Sequence, residues 1–140
     1  MRRWGIVLAA LAAISLATAA CSSGSGSSAS SGSETVKVGL SEYRISPDLQ
    51  SVKSGKVTFD VANDGDQVHE MVLIKTDAAP GDLPMQKGEA SEAGSVGEVS
   101  ELDAGASGTL TIHLAPGRYV MICNVPGHYV AGMHTEFTVS

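Results

Sequence analysis

Three side chains able to bind a soft metal ion lie close together near the carboxyl end of this 140-residue chain. They are the thiol of Cys123, the imidazole of His128 and the thioether of Met133, with four residues between each neighbouring pair. A second imidazole, His69, stands far upstream in the run Asn-Asp-Gly-Asp-Gln-Val-His-Glu. Two imidazoles and a thiolate with a weak thioether make up the ligand set of a type 1 copper site. The four residues together therefore predict a site for one copper ion.

Each of these residues also has a simpler interpretation on its own. His69 could be a surface residue near a strand end, Met133 could be part of the core, and Cys123 could be buried and inert. The chain has two cysteines, Cys21 and Cys123. If Cys21 carries lipid, Cys123 is a lone thiol in an exported protein, where an unprotected thiol is readily oxidised. The joint pattern favours a metal-bound thiolate.

The other two histidines are not predicted to be ligands. His113 falls on the polar face of an alternating segment, so we expect it in solvent. His134 follows Met133 directly, and neighbours on an extended strand point to opposite faces. We therefore predict a site without His113 or His134.

Short strands must position the predicted ligands, because apolar and polar residues alternate along much of the chain and no helical periodicity is convincing. The alternation is clear at Val57–Val61, Leu110–Leu114 and Phe137–Val139, and further strands are predicted at Thr35–Leu40, Val68–Lys75 and Tyr119–Cys123. Turn sequences rich in Gly, Asn and Pro separate them. We predict an all-β fold, an antiparallel Greek-key β-sandwich of about seven to eight strands. Residues 76–97 interrupt the rhythm and predict a long excursion with one helical turn.

The ligand pattern resembles the cupredoxin family, in which a late Cys, His and Met share one loop and an early His comes from a distant strand. The four-and-four spacing is most similar to the rusticyanin and sulfocyanin type. The resemblance spans about residues 35–140 and is strongest over 117–133. It implies a single-electron carrier that exposes one ring edge of His128 within an apolar patch. The chain departs from the plastocyanin and azurin pattern at Glu70, where those proteins commonly have an Asn that ties the two ligand-bearing segments together.

The amino-terminal segment has the pattern of an export signal. Arg2 and Arg3 precede an apolar run that ends in small residues before Cys21, and the run is short for a membrane-spanning helix, which takes ~20 apolar residues. We predict a signal peptide over residues 1–20, cleaved before Cys21, with Cys21 resembling the lipidated cysteine of bacterial lipoproteins. Residues 21–34 then form an anchor and a flexible linker rich in Ser and Gly, and residues 35–140 form the copper-binding domain.

These features predict an extracytoplasmic protein, tethered by lipid to the membrane or secreted, that carries electrons and is not an enzyme. We expect redox proteins as partners, no small-molecule substrate, and a monomer. The net charge of −6 argues against a nucleic-acid partner. The main alternative is a Cu(I)-binding protein for copper delivery or resistance, which could use the same ligands. A catalytic copper enzyme would need further His-rich sites, and a metal-free adhesion or sensor domain would leave the ligand spacing unexplained.

Overall fold

The strands predicted by alternation form two packed sheets. A computed structural model describes residues 32–140, and no helix occurs in that range. The predicted signal peptide and the Cys21 anchor lie outside the described residues, as does most of the predicted linker. The eleven strands are β1 (Glu34–Ser41), β2 (Arg44–Pro47), β3 (Ser51–Val52), β4 (Gly55–Asn63), β5 (His69–Lys75), β6 (Met85–Gln86), β7 (Glu89–Ala90), β8 (Ser95–Leu102), β9 (Ser107–Leu114), β10 (Gly117–Ile122) and β11 (His134–Val139).

The predicted β-sandwich is confirmed, with more strands than expected. One sheet has the order β2-β1-β4-β9, the second has the order β3-β11-β10-β5-β8, and β6 and β7 form a separate hairpin. The extra strands are short, since β3, β6 and β7 have two residues each. Two pairings, β1 with β4 and β3 with β11, are parallel. The β1–β4 pairing is possible because the chain between them is long enough to cross over through β2 and β3.

A large apolar core fills the space between the two sheets, and we call it the sandwich core. Its buried members come from both sheets and from the ligand-bearing loop: Val36, Val38, Leu40, Ile45, Val52, Val57, Phe59, Val61, Met71, Leu73, Val99, Leu114, Tyr119, Met121, Cys123, Met133, Phe137 and Val139. Phe59 and Phe137 meet edge to face across it, with ring centroids 5.4 Å apart. This packing of alternate residues is what the period-two pattern predicts.

A second, smaller apolar cluster lies on the outer face of the second sheet, and we call it the cover cluster. It consists of Val72, Ile74, Leu83, Ala90, Val120, Ile122 and Tyr129. Successive residues of β5 and β10 belong alternately to the sandwich core and to the cover cluster, so both strands are buried on both faces. This explains their nearly continuous apolar sequences, Met-Val-Leu-Ile and Tyr-Val-Met-Ile.

The segment that covers this outer face is the excursion at residues 76–94. The predicted helical turn is wrong, because the segment instead contains the β6–β7 hairpin. Lys87 and Gly88 both have positive φ, at 53° and 92°, as a two-residue type I′ turn requires. The predicted excursion also ends earlier than expected, since β8 starts at Ser95.

Strand β8 was not predicted because its sequence does not alternate. Its apolar residues Val96, Val99 and Leu102 are three apart, and of these only Val99 is buried. The register of β8 against β5 shifts between His69 and Met71 and again between Leu73 and Ile74. Such irregularities change which face a residue occupies.

Within residues 32–140, no helix has the length and hydropathy needed to cross a bilayer.

Candidate metal centre

The structure brings three of the predicted ligands together at one end of the sandwich. His69 is the first residue of β5, Cys123 directly follows β10, and His128 lies in the loop between β10 and β11. His69 and Cys123 have no solvent exposure, and His128 is 7% exposed. Their potential ligand atoms all lie within 4.8 Å of one another. His69, Cys123 and His128 thus form a buried cluster.

The donor atoms converge on a common centre. The Nδ1 atoms of His69 and His128 are 3.2 Å apart, and the Sγ of Cys123 lies 3.9 Å and 3.4 Å from them respectively. Imidazole nitrogen and thiolate sulfur suit copper, and a cation between them would interact with all three atoms at once. The residues therefore form a site compatible with a type 1 copper ion.

Met133 stands at the base of the same loop, immediately before β11. Its backbone N–H donates to the carbonyl of His128 at 3.0 Å, and its carbonyl accepts from the N–H of Cys123 at 3.1 Å. These two bonds close the loop and join the three positions. Met133 is fully buried in the sandwich core together with Cys123.

The remaining histidines are placed as predicted. His113 is exposed on β9. The ring of His134 packs against that of Tyr129 in a tilted arrangement, with ring centroids 5.1 Å apart, and His134 is not part of the cluster.

Burial sets the protonation of two of the converging groups. Desolvation raises the pKa of the Cys123 thiol, so a metal ion must displace its proton to bind the thiolate at neutral pH. Desolvation, followed by the nearby His69, lowers the pKa of His128. Its imidazole is therefore neutral at pH 7 and available as a ligand.

Glu70 connects the two ligand-bearing segments, as the Asn at this position commonly does in plastocyanin and azurin. Its Oε1 accepts a hydrogen bond from the backbone N–H of Asn124 at 3.0 Å, which joins the segment of His69 to the segment of Cys123. Glu70 is partly buried, and desolvation raises the pKa of its carboxyl group. The bond from Asn124 opposes that shift.

Asn124 attaches the ligand loop to the excursion. Its side chain is almost completely buried and forms three hydrogen bonds: Oδ1 accepts from the N–H of Ala90 at 2.8 Å, and Nδ2 donates to the carbonyl of Ala90 at 3.0 Å and to Glu92 at 2.8 Å. Because both backbone groups of Ala90 are used, β7 is held against the residue that follows Cys123.

Tyr129 attaches the other side of the loop to the same excursion. Its hydroxyl donates to the carbonyl of Pro80 at 2.7 Å and accepts from the N–H of Leu83 at 3.0 Å. Its ring is part of the cover cluster. Asn124 and Tyr129 together fix the excursion to both sides of His128.

The turn between β1 and β2 contacts both histidines. The Oε1 of Glu42 lies 3.7 Å from the Nε2 of His69, and the ring of Tyr43 meets that of His128 edge to face at 5.6 Å. Hydrogen bonds from the backbone N–H groups of Glu42 itself and of Asp66 keep the pKa of the Glu42 carboxyl below its usual value. Sequence analysis missed this turn because its contacts join residues more than twenty positions apart, and no local pattern reports them.

Comparison with known proteins agrees with this description. A sequence model of the cupredoxin-like domain matches residues 6–139. Auracyanin-B of Chloroflexus aurantiacus is 52% identical over 40 residues, which are 28% of this chain and 17% of that protein's length. The chain thus spans well under two thirds of that relative.

Solved structures show the same fold. Auracyanin A, described as a "blue" copper protein from Chloroflexus aurantiacus, superposes with a TM-score of 0.57 at 24% identity over 78% of this chain and all (100%) of its own. Rusticyanin from Thiobacillus ferrooxidans superposes with a TM-score of 0.52 at 18% identity, over 78% of this chain and 79% of its own. With the family match over nearly the whole chain, these findings place this protein in the cupredoxin-like family.

Proposed function

We propose that this protein carries single electrons between redox proteins through a type 1 copper ion held by His69, Cys123, His128 and Met133. The observation that supports this most directly is the convergence of the buried His-Cys-His donors at one end of a cupredoxin fold. Copper, when bound, supplies a one-electron centre that alternates between Cu(II) and Cu(I).

The protein itself contributes a buried site that excludes water from the metal ligands. His69 and Cys123 are excluded from water, and Glu70, Asn124 and the closed loop hold their segments in place. A site whose ligands are buried and held by hydrogen-bonded segments limits the rearrangement that accompanies a change of charge. The reduction potential then depends on buried contacts more than on solvent.

We assign the route of electron entry and exit to His128. It is slightly exposed, while His69 and Cys123 have no solvent exposure. Val130, 67% exposed, and the exposed Pro126 lie on the same loop. An apolar surface beside the exposed edge of a ligand would let a partner approach closely without displacing bound water.

Cys21 would attach the protein to a membrane on the extracytoplasmic side. This part of the proposal rests on the sequence pattern before Cys21. Fractionation of cells producing the wild type and the Cys21→Ser variant tests it: the proposal requires the wild type in the membrane fraction and the variant released from it.

The visible spectrum of the purified protein tests the electron-carrier proposal. We expect an intense blue absorption with Cu(II), bleached by ascorbate and restored on reoxidation, because thiolate bonded to Cu(II) gives this colour. Cys123→Ser should abolish the colour. His113→Asn is the matched control, since His113 is exposed and outside the cluster, and this variant should remain blue. A wild type that is colourless and binds only Cu(I) tightly would contradict the proposal and make copper delivery the better account.

A further inference from the structure

The second ring nitrogen of His69 is buried without a hydrogen-bond partner. The Nδ1 of this ring faces Cys123 and His128, so Nε2 points away from the metal site. Among the buried side-chain nitrogen and oxygen atoms of residues 32–140, Nε2 of His69 is the one without a partner. A neutral imidazole that binds a metal through Nδ1 carries its proton on Nε2, and a buried N–H without an acceptor is costly.

One carboxylate is held close to this nitrogen. Glu42 accepts hydrogen bonds at Oε1 from the backbone N–H groups of Asp66, at 2.7 Å, and Gln67, at 3.1 Å. A Cβ atom at Gly65 would lie 2.6 Å from the same oxygen, so the glycine leaves the space that the carboxylate occupies. Glu42 is thus fixed against the loop that leads directly into His69.

The distance from Glu42 Oε1 to His69 Nε2 is 3.7 Å, slightly longer than a hydrogen bond. A small rotation of either side chain would close this gap. Catalytic and binding sites often tighten such contacts when the ligand is present, and metal-binding histidines usually donate their other N–H to a carboxylate, a carbonyl or water.

We propose that Glu42 is the hydrogen-bond acceptor for the Nε2–H of His69 and that it positions this ring for copper. The proposed effect of Glu42 on the reduction potential rests on the electron-carrier function. The proposed hydrogen bond between Glu42 and His69 rests on geometry alone. The carboxylate orients the ring and increases electron donation from Nδ1. The increased donation and the negative charge of the carboxylate stabilise Cu(II) relative to Cu(I), so Glu42 lowers the reduction potential.

Three variants of the copper-loaded protein separate the hydrogen bond from the charge. Glu42→Ala removes both, and Glu42→Gln keeps an acceptor oxygen but removes the charge. Asp66→Asn removes an exposed charge from the loop between β4 and β5, while keeping the backbone N–H that donates to Glu42. We expect Glu42→Ala to weaken Cu(II) binding ~10–100-fold and to raise the reduction potential. Glu42→Gln should produce a smaller shift in the same direction. Asp66→Asn should change little, because the Asp66 carboxylate does not lie within 4.0 Å of a His69 ring nitrogen and its charge is screened by solvent and salt.

Nitrogen-15 NMR of the diamagnetic Cu(I) protein tests the contact itself. The Nε2–H proton of His69 should exchange slowly with water in the wild type and in Glu42→Gln, and faster in Glu42→Ala. Thermal unfolding of each variant verifies that it is folded.

Equal potential shifts for Glu42→Ala and Asp66→Asn, with unchanged proton exchange, would overturn the proposal. A wild-type protein that is never blue would instead contradict the electron-carrier function, and the exchange measurement on its Cu(I) form would still decide whether Glu42 bonds to His69.

Discussion

The sandwich core and the cover cluster hold the metal site in different ways. The sandwich core surrounds Cys123 and Met133 with apolar side chains from both sheets. The cover cluster is smaller, and the excursion above it is attached to the ligand loop by directed hydrogen bonds from Asn124 and Tyr129. Apolar packing contributes most of the stability of a domain, whereas hydrogen bonds to buried groups fix particular positions. We infer that the sandwich core determines whether the protein folds, and that the excursion determines where its ligand loop lies.

The largest expected effect is in the sandwich core. Phe59→Ala should destabilise the protein by about 3–5 kcal/mol, because it removes a fully buried ring and its contact with Phe137. Urea unfolding followed by circular dichroism measures the loss, and Phe59→Leu, which leaves a smaller cavity, should cost less. The fraction that remains folded should keep the wild-type copper spectrum. A changed spectrum in this variant would contradict the separation of roles.

An intermediate effect is expected at the attachment of β7 to the loop. Asn124→Ala leaves the N–H and the carbonyl of Ala90 without their partners, which should cost about 1–3 kcal/mol. Asn124→Asp is a second variant: it keeps the acceptor for the N–H, but it replaces the donor with a carboxylate oxygen that faces the Ala90 carbonyl and the Glu92 carboxylate, so it should cost at least as much. We expect faster amide hydrogen exchange at Ala90 and a shifted copper absorption in Asn124→Ala. Unchanged exchange and absorption would show that the excursion does not position the loop.

The smallest effect is expected from removing the hydroxyl group of either of two buried tyrosines. Tyr129→Phe removes the hydroxyl that bonds to Pro80 and Leu83, and Tyr119→Phe removes a hydroxyl that donates to the carbonyl of Ala115 at 2.7 Å. Each deletion should cost about 0.5–1.5 kcal/mol in unfolding free energy. Only Tyr129→Phe should alter the copper spectrum or the exchange rates of residues 78–83. Equal spectral effects in the two variants would remove the distinction between the two regions.

The sequence predicts those parts of the molecule that depend on interactions between residues close together in the chain. Alternation along β4 and β9 follows from one face packing on the sandwich core, and it correctly predicts the fold. The type and spacing of Cys123 and His128 predict the metal site because one short loop carries both residues. His69 is predicted only together with them, since nothing near it in sequence indicates a ligand.

The sequence does not predict contacts that depend on distant segments. Glu42 reaches His69 only because β1 places its turn beside the loop at Gly65. Glu70 departs from the family pattern, yet its carboxylate accepts the N–H of Asn124 and makes an equivalent connection. The excursion was predicted to be partly helical because its composition gives no strand pattern, and its path is set by bonds to Asn124 and Tyr129.

The direction of β1 has a consequence for how the protein would face its surroundings. Strand β1 runs from Glu34, paired with Val57, to Ser41, next to the turn that contacts both histidines. Its eight residues span about 26 Å at the usual rise per residue of a strand. The chain before Glu34 therefore leaves the sandwich at the end opposite to His128. If Cys21 were held in a membrane, the linker would join the sandwich at the end away from the copper ligands, so the attachment itself would not cover His128.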